Sequence, residues 1–307
     1  MGTAMIPARR ERGGDGVRLA AALGVSPSEI LDLSASLNPV APDLRPVLIR
    51  HLDAVGRYPD PDAATDALAA AMAVPRSQLL LTNGGAEAIA LVAQSLGRGR
   101  VDEPEFSLYR RHLADVGPDG PRWRSNPHSP TGRLARADET AAVWDEAFWP
   151  LAAGTWTRGD AQRGAVVLGS LTKLLACPGL RAGFVHSADE DLLDRLRRHQ
   201  PRWAVNGLVC DSLADMLAEV DLPRWVAEIR RLRGDLDQLL RHAGLAPEPS
   251  DANWVLVPAP GLRDRLAHER VLIRDCASFG MPGTVRIAVP SDEGRMRLAR
   301  ALDLTQL

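Results

Sequence analysis

Lysine is almost missing from this chain. Of the 37 lysines and arginines in 307 residues only Lys173 is a lysine. Arginine serves for surface charge, helix pairs and phosphate contacts, but a guanidinium stays protonated and cannot replace an amine that must attack a carbonyl. The one surviving amine is therefore a candidate Schiff-base nucleophile, the plain alternative being chance survival of a surface lysine. Aromatic residues are only 4% of the chain, and tyrosine occurs twice, at Tyr58 and Tyr109. The three cysteines, Cys177, Cys210 and Cys276, are scattered. Their odd number and wide spacing exclude a disulfide framework and a metal-ligand pattern, and point to a reducing cytoplasm. No apolar run is long enough to span a bilayer. A net charge of −2 gives no footprint for nucleic acid or a membrane surface. Residues 1–16 are rich in arginine and glycine without an apolar centre, unlike a secretion signal.

With 45% hydrophobic residues and this length, the chain can bury a real core and is expected to form a large and a small lobe. Periodicity predicts helices over 62–73, 86–96 and 190–199, and a helical stretch over 206–242 broken near Leu222-Pro223. Strands are predicted over 78–81, 164–168, 250–257, 271–276 and 284–289, and a loop at 117–121. This alternation implies an α/β fold with a mostly parallel sheet and helices on both faces.

Several local patterns bear on chemistry. An apolar run leads into Gly169-Ser170-Leu171-Thr172-Lys173, and Arg181 and Gly183-Phe184 follow. Leu81-Thr82-Asn83-Gly84-Gly85-Ala86-Glu87 reads as a strand, a glycine turn and a helix start, which aims backbone N–H groups at an anion. Asp145-Glu146 follows the apolar Ala142-Val143-Trp144, and late strand patterns present Arg274 and Arg286. Each has a plainer alternative. Gly84-Gly85 alone is a common turn, Tyr58 beside Pro59 a packing contact, and Asp145 a solvated helix start. Arg274 reads equally as a strand-end partner of Asp275.

Taken together, in this order, the segments resemble fold-type I enzymes that use pyridoxal phosphate (PLP). Within them they resemble the class I/II aminotransferase branch that holds histidinol-phosphate aminotransferases and threonine-phosphate decarboxylases. The resemblance implies an aspartate aminotransferase-like large domain, somewhat trimmed, with a smaller α+β domain. It divides the chain into an N-terminal segment 1–33, a PLP-binding domain 34–205 and a C-terminal domain 206–307. It implies that Lys173 carries the cofactor, that Ser170, Thr172 and Arg181 hold its phosphate with Gly84, Gly85, Ala86 and Glu87, that Asp145 pairs with the ring nitrogen and that Tyr109 stacks on the ring. Tyr58, in Arg57-Tyr58-Pro59-Asp60, would reach a neighbouring subunit's cofactor, which implies a homodimer. Asn126-Pro127-His128-Ser129-Pro130-Thr131-Gly132 resembles a family loop in which Ser129 replaces the asparagine that bonds the phenolic oxygen. Phe148 stands where histidinol-phosphate aminotransferases usually carry a tyrosine. Arg286 would bind the substrate carboxylate and Arg274 its distal acidic group, with Asn38, Trp203 and Asn206 alongside.

Gln200-Pro201-Arg202-Trp203-Ala204-Val205-Asn206, Phe148 and Gly13-Gly14-Asp15 (preceded by Arg12 rather than histidine) favour the decarboxylase branch. The implied reaction is decarboxylation of threonine phosphate to aminopropanol phosphate in cobalamin biosynthesis. The alternatives are a histidinol-phosphate or related aminotransferase, and a PLP-fold partner protein without activity, against which the retained Lys173 speaks. The effector domain of a transcription regulator needs a helix-turn-helix module, and too few residues precede Asp32 for one. Spacings from Tyr109 to Asn126 and from Gly132 to Asp145 are short for the family, so part of the large domain is expected to be missing.

Overall fold

The computed structural model describes residues 13–304. Arg12 and most of the segment read as unlike a secretion signal lie outside the described residues. Twelve strands follow in chain order: β1 (Leu31–Asp32), β2 (Leu79–Thr82), β3 (Arg98–Val101), β4 (Asp115–Val116), β5 (Arg122–Ser125), β6 (Val143–Asp145), β7 (Val166–Ser170), β8 (Gly183–His186), β9 (Trp254–Pro258), β10 (Val271–Leu272), β11 (Arg274–Asp275) and β12 (Thr284–Ala288). The helices are α1 (Gly16–Leu23), α2 (Arg45–Arg50), α3 (Asp62–Met72), α4 (Gly85–Leu96), α5 (Leu108–His112), α6 (Trp149–Ala153), α7 (Leu171–Leu174), α8 (Glu190–His199), α9 (Gly207–Ala218), α10 (Leu222–His242), α11 (Leu262–His268) and α12 (Asp292–Ala301). None of the described helices is long and apolar enough to cross a membrane.

The chain forms two compact units. Of the described residues, the larger comprises 41–129 and 134–226, the smaller 13–40, 130–133 and 227–304. The sequence reading ended the large domain at 205, whereas α9 packs against α3 and belongs with the larger unit. The helical stretch 206–242 divides into α9 and α10, and Pro223 sits in the first turn of α10, where its missing N–H costs no intrahelical bond.

The larger unit holds a seven-stranded sheet in the order β2-β8-β7-β6-β5-β3-β4. The pairs from β7 through β6, β5 and β3 to β4 are parallel, and β8 runs antiparallel to both β7 and β2. One face is closed by α4 and α8. Ala88, Ile89, Val92 and Ala93 of α4 and Leu192, Leu193 and Leu196 of α8 pack against Leu80, Trp123, Val143, Val166 and Val185. Asp189 caps α8 by accepting from Leu192 N at 2.9 Å.

Beneath Trp144 and Val167, the opposite face is covered by Ala135, Ala141 and Ala165 from irregular chain and by Ala161 from a single 3-10 turn, Asp160–Arg163. Helices were expected on both faces; here loop replaces helix on this part of the second. The trimming is visible in the same place, because no helix lies between α5 and α6 and the parallel strands β5 and β6 are joined by loop alone. Arg158 holds that loop. Its guanidinium lies 4.8 Å from the centre of the Trp144 ring and donates to the carbonyls of Arg136, Ala137 and Glu139 at 2.8, 3.1 and 3.1 Å.

In the smaller unit an antiparallel sheet β11-β12-β9 and a parallel pair β1-β10 surround a core that includes Leu236, Leu240, Val257, Leu266, Ile287 and Leu298. The strand expected over 271–276 is two short pieces, β10 and β11, in different sheets.

Candidate active site

In an open parallel sheet, ligands bind beyond the carboxyl ends of the strands. Strands β2, β3, β5, β6 and β7 end on one edge of the larger unit, each running into a candidate residue. Gly84 and Gly85 follow β2, Glu105 and Phe106 follow β3, Ser125 ends β5, Asp145 ends β6, and Ser170 ends β7 just before Lys173.

The turn after β2 is an anion cradle. Gly84 has φ 77° and ψ 168°, a conformation open only to glycine. A Cβ there would lie 2.5 Å from Arg181 Nη2, so Arg181 occupies the space that glycine leaves. Arg181 itself takes φ 60°, a left-handed conformation rare for a residue with a side chain. Gly183 lets the chain pass equally close, since a Cβ there would meet the Gly84 carbonyl carbon at 2.5 Å. Gly85 and Ala86 head α4, where helix geometry provides no intrahelical acceptor for their N–H groups. The Ser170 side chain makes no capping bond to α7 and lies against Gly85. Helix end, hydroxyl and guanidinium therefore converge, which suits a phosphate.

Two expected phosphate ligands are committed elsewhere. The Glu87 carboxylate, which would repel a phosphate, accepts from Asn83 N at 2.7 Å and from Gln200 Nε2 at 3.0 Å. The Thr172 hydroxyl donates to Ala182 O at 3.3 Å.

At the end of β6, Asp145 Oδ2 accepts from Tyr109 Oη at 2.8 Å and Oδ1 from Ala147 N at 3.1 Å. Burial pushes the Asp145 carboxyl above its ordinary range, while the Tyr109 and Ala147 bonds pull it back. A carboxylate so placed is suited to a cationic N–H partner. Tyr109 is fully enclosed, packed in the core on the α4 side of the sheet with its ring 5.5 Å from Trp123. A side chain walled in on all sides cannot stack on a ligand, so its contribution is the hydrogen bond to Asp145. Phe106, edge-on to Tyr109 at 5.8 Å, packs against the margin of that core and is only half-buried, the more accessible of the two aromatics. The sequence reading passed over it, although its place directly after Pro104-Glu105, at the end of β3, was available as a signal.

Lys173 lies in the short helix α7, half-buried, with Nζ 6.0 Å from the centre of the Phe148 ring. Phe148 follows Asp145 by three residues, so amine and carboxylate belong to adjacent strand ends. Ser129 is buried, and its N–H donates to Ser125 Oγ at 2.7 Å. Cys177 is not a nucleophile of this site, since burial raises its thiol to about 11.

On the larger unit, Tyr58 and Trp203 stack on one another at 4.4 Å and are 77% and 55% exposed. Asn206 is occupied structurally, capping α9 by accepting from Val209 N at 3.0 Å and donating to Leu180 O at 2.7 Å, which steadies the residue before Arg181.

The smaller unit brings the two late arginines together. Arg274 and Arg286 are directly opposed on β11 and β12, and both are buried. Their guanidinium groups lie over Phe279 at 4.5 Å and Trp254 at 4.8 Å. Burial, and then the charge of Arg274, lower Arg286 to about 9. Asn38 is buried and turns its own loop, accepting from Val40 N at 3.1 Å. Gly14 N donates to Ser34 Oγ at 2.8 Å, which docks the Gly13-Gly14-Asp15 segment on the same unit.

A mostly parallel sheet with a glycine-helix anion cradle, a lysine just after one parallel strand and an aspartate at the end of the neighbouring, central strand defines the fold-type I class of PLP-dependent enzymes. The profile of the Aminotransferase class I and II family matches residues 123–302. The threonine-phosphate decarboxylase of Salmonella typhimurium is 32% identical over 349 aligned residues, covering 94% of this chain and 95% of that protein. Histidinol-phosphate aminotransferase 1 of Dechloromonas aromatica is 25% identical, covering 93% and 92%. The crystal structure of histidinol-phosphate aminotransferase from Sinorhizobium meliloti in complex with pyridoxal-5'-phosphate shares the fold, with a TM-score of 0.80 at 17% identity over 93% of this chain and 92% of that one. The chain belongs to the class I and II aminotransferase family, and its cofactor is PLP. The cradle formed by Gly84, Gly85, Ser170 and Arg181 and the carboxylate of Asp145 fit that cofactor's phosphate and ring nitrogen.

Proposed function

We propose that the protein decarboxylates L-threonine O-3-phosphate. The observation that carries this reading is the opposed pair Arg274 and Arg286. Two guanidinium groups in adjacent buried positions repel each other, and anions relieve that repulsion. Threonine phosphate brings two anionic groups, a carboxylate for Arg286 and a phosphate for Arg274. Histidinol phosphate brings only one. The likeness to the Salmonella decarboxylase, which spans nearly the full length of both chains, supports the same choice.

Bound in this site, PLP supplies an electron sink for the carbanion left at the substrate's α-carbon. The Lys173 amine carries the cofactor and, once carbon dioxide has left, delivers a proton to that carbon. Asp145, fixed by Tyr109, holds the proton on the ring nitrogen. Gly84, Gly85, Ser170 and Arg181 anchor the phosphate, and Phe106 covers one face of the ring. Asp145 and Arg181 act by charge and orientation and exchange no atoms with the substrate.

The working unit we propose is a homodimer. Tyr58 and Trp203 are exposed, and Ile49, Leu52 and Val55, just before Tyr58 in the chain, are each more than half exposed, apolar surface suited to a second copy.

The test offers threonine phosphate and, with 2-oxoglutarate, histidinol phosphate to the same purified preparation. Release of carbon dioxide from threonine phosphate is the expected result. A keto product from histidinol phosphate without carbon dioxide release moves the assignment to the aminotransferase. Tyr58→Phe and Lys173→Ala proteins, each impaired, should regain activity when their subunits are exchanged; failure to do so removes the shared dimer site.

A further inference from the structure

The Gly84-Gly85 turn and Arg181 are the two halves of the anion cradle. They come from distant parts of the chain, yet one short segment holds both. Residues 200–206 leave the end of α8 and lead into α9.

At the first end, Gln200 gives both hydrogens of its side-chain amide to the surroundings of the glycine turn. Nε2 donates to Leu81 O at 2.8 Å, where β2 runs into the turn, and to Glu87 Oε2 at 3.0 Å, in the first turn of α4. The same Glu87 oxygen accepts from Asn83 N at 2.7 Å. Strand end, turn and helix start are thereby tied together on either side of Gly84.

At the second end, Asn206 Nδ2 donates to Leu180 O at 2.7 Å. That carbonyl belongs to the peptide plane joining Leu180 to Arg181, and the tilt of this plane is expressed in the φ of Arg181. Its value, 60°, is one that a residue with a side chain keeps only where its surroundings over-determine it. The Asn206 amide is itself fixed in direction, because Oδ1 accepts from Val209 N at 3.0 Å and caps α9. Between the two ends the segment turns at Trp203, with φ 56°, and Trp203 stacks on Tyr58 at 4.4 Å. A phosphate can accept from backbone N–H groups and a guanidinium together only if their spacing is kept to within about 0.5 Å.

We propose that residues 200–206 form a strap across the cradle, and that Gln200 and Asn206 are positioning residues for the cofactor phosphate, acting through Glu87 and through the Leu180 carbonyl without touching it.

The inference rests on this cradle being the phosphate site, and pyridoxal, the cofactor without its phosphate, separates the two ideas. PLP and pyridoxal offer Lys173 the same aldehyde, so the ratio of their affinities for apoprotein reads the phosphate site. Gln200→Met keeps the bulk of the side chain and removes both donors. Asn206→Ser keeps a capping oxygen for α9 and removes the amide donor. Each variant should lower PLP affinity roughly 5- to 20-fold, part of the loss that follows removal of a whole charge-assisted bond, while pyridoxal affinity stays within about twofold of wild type. Asn206→Ser decides alone if Gln200→Met does not fold. Equal losses for PLP and pyridoxal would reduce the strap to general stability and overturn the proposal, as would an unchanged PLP affinity in either variant. Arg181→Ala reports on the cradle itself and should erase most of the preference for PLP. If that preference survives Arg181→Ala, the cradle is not the phosphate site and the strap falls with it. If Arg181→Ala erases it while both strap variants retain it, the strap alone falls.

Discussion

Replacing Gly84 by alanine places a methyl group where Arg181 now lies. Two costs follow. The backbone at φ 77° and ψ 168° is in a glycine-only region, and holding alanine there costs about 1–3 kcal/mol. The new Cβ would also stand 2.5 Å from Arg181 Nη2 and 3.0 Å from Cζ, closer than atoms can pack. The guanidinium is the mobile party, because the Arg181 backbone is set by Gly183 behind it and by the Asn206 bond to Leu180 O. Displacing it removes a charge-assisted bond to the cofactor phosphate worth about 1.5–3 kcal/mol. PLP affinity should therefore fall roughly 10- to 150-fold, and the melting temperature should fall by about 2–4 °C for each kcal/mol of backbone strain. Titrating apoprotein with PLP, with calorimetry in parallel, measures both. If the clash is the cause, Arg181→Ala added to Gly84→Ala should weaken binding little further, since the two changes remove one interaction. Affinity within twofold of wild type, or losses that add in full, would refute the reasoning.

Borohydride reduction of the PLP-loaded protein should put the pyridoxyl mass on the peptide containing Lys173; an unmodified Lys173 counts against its role. Asp145→Asn should retain much of the cofactor but lose most of the turnover, because a neutral amide no longer holds the ring nitrogen protonated, and full activity would point to another residue. Arg158→Ala should destabilise the protein by about 2–4 kcal/mol, because one half-buried guanidinium serves three loop carbonyls and covers Trp144; urea unfolding tests this, and an unchanged midpoint dismisses this role of Arg158. Burial raises Glu105 from 4.5 to about 7, so the folded state binds the extra proton and stability falls as pH rises through that window, by up to about 3 kcal/mol. Glu146 is raised to about 7 in the same way, so the contribution of Glu105 is the part of the pH slope lost in Glu105→Gln.

Much of the site was legible in one dimension. The lone Lys173, the Gly84-Gly85 turn after a strand, and Asp145 after an apolar run announce themselves because local chemistry restricts those positions to few residue types. Element types were legible for the same reason, since α8 carries a clear helical periodicity and β7 is an unbroken apolar run. What folding decided was direction and company. Phe106 and Tyr109 are three residues apart and equally aromatic, yet only packing against the core on the α4 side shows that Tyr109 is walled in. Thr172 and Glu87 carry suitable atoms, but long-range partners claim them. Arg274 and Arg286 become a pair only through strand register, and Arg158 replaces a missing helix by reaching carbonyls far along the chain. The titration of Glu105 belongs to the same group, because a carboxyl rises to about 7 only when the whole unit closes over it. Residue type and local geometry are properties of short segments, whereas burial, register and hydrogen-bond partners arise from contacts between distant ones.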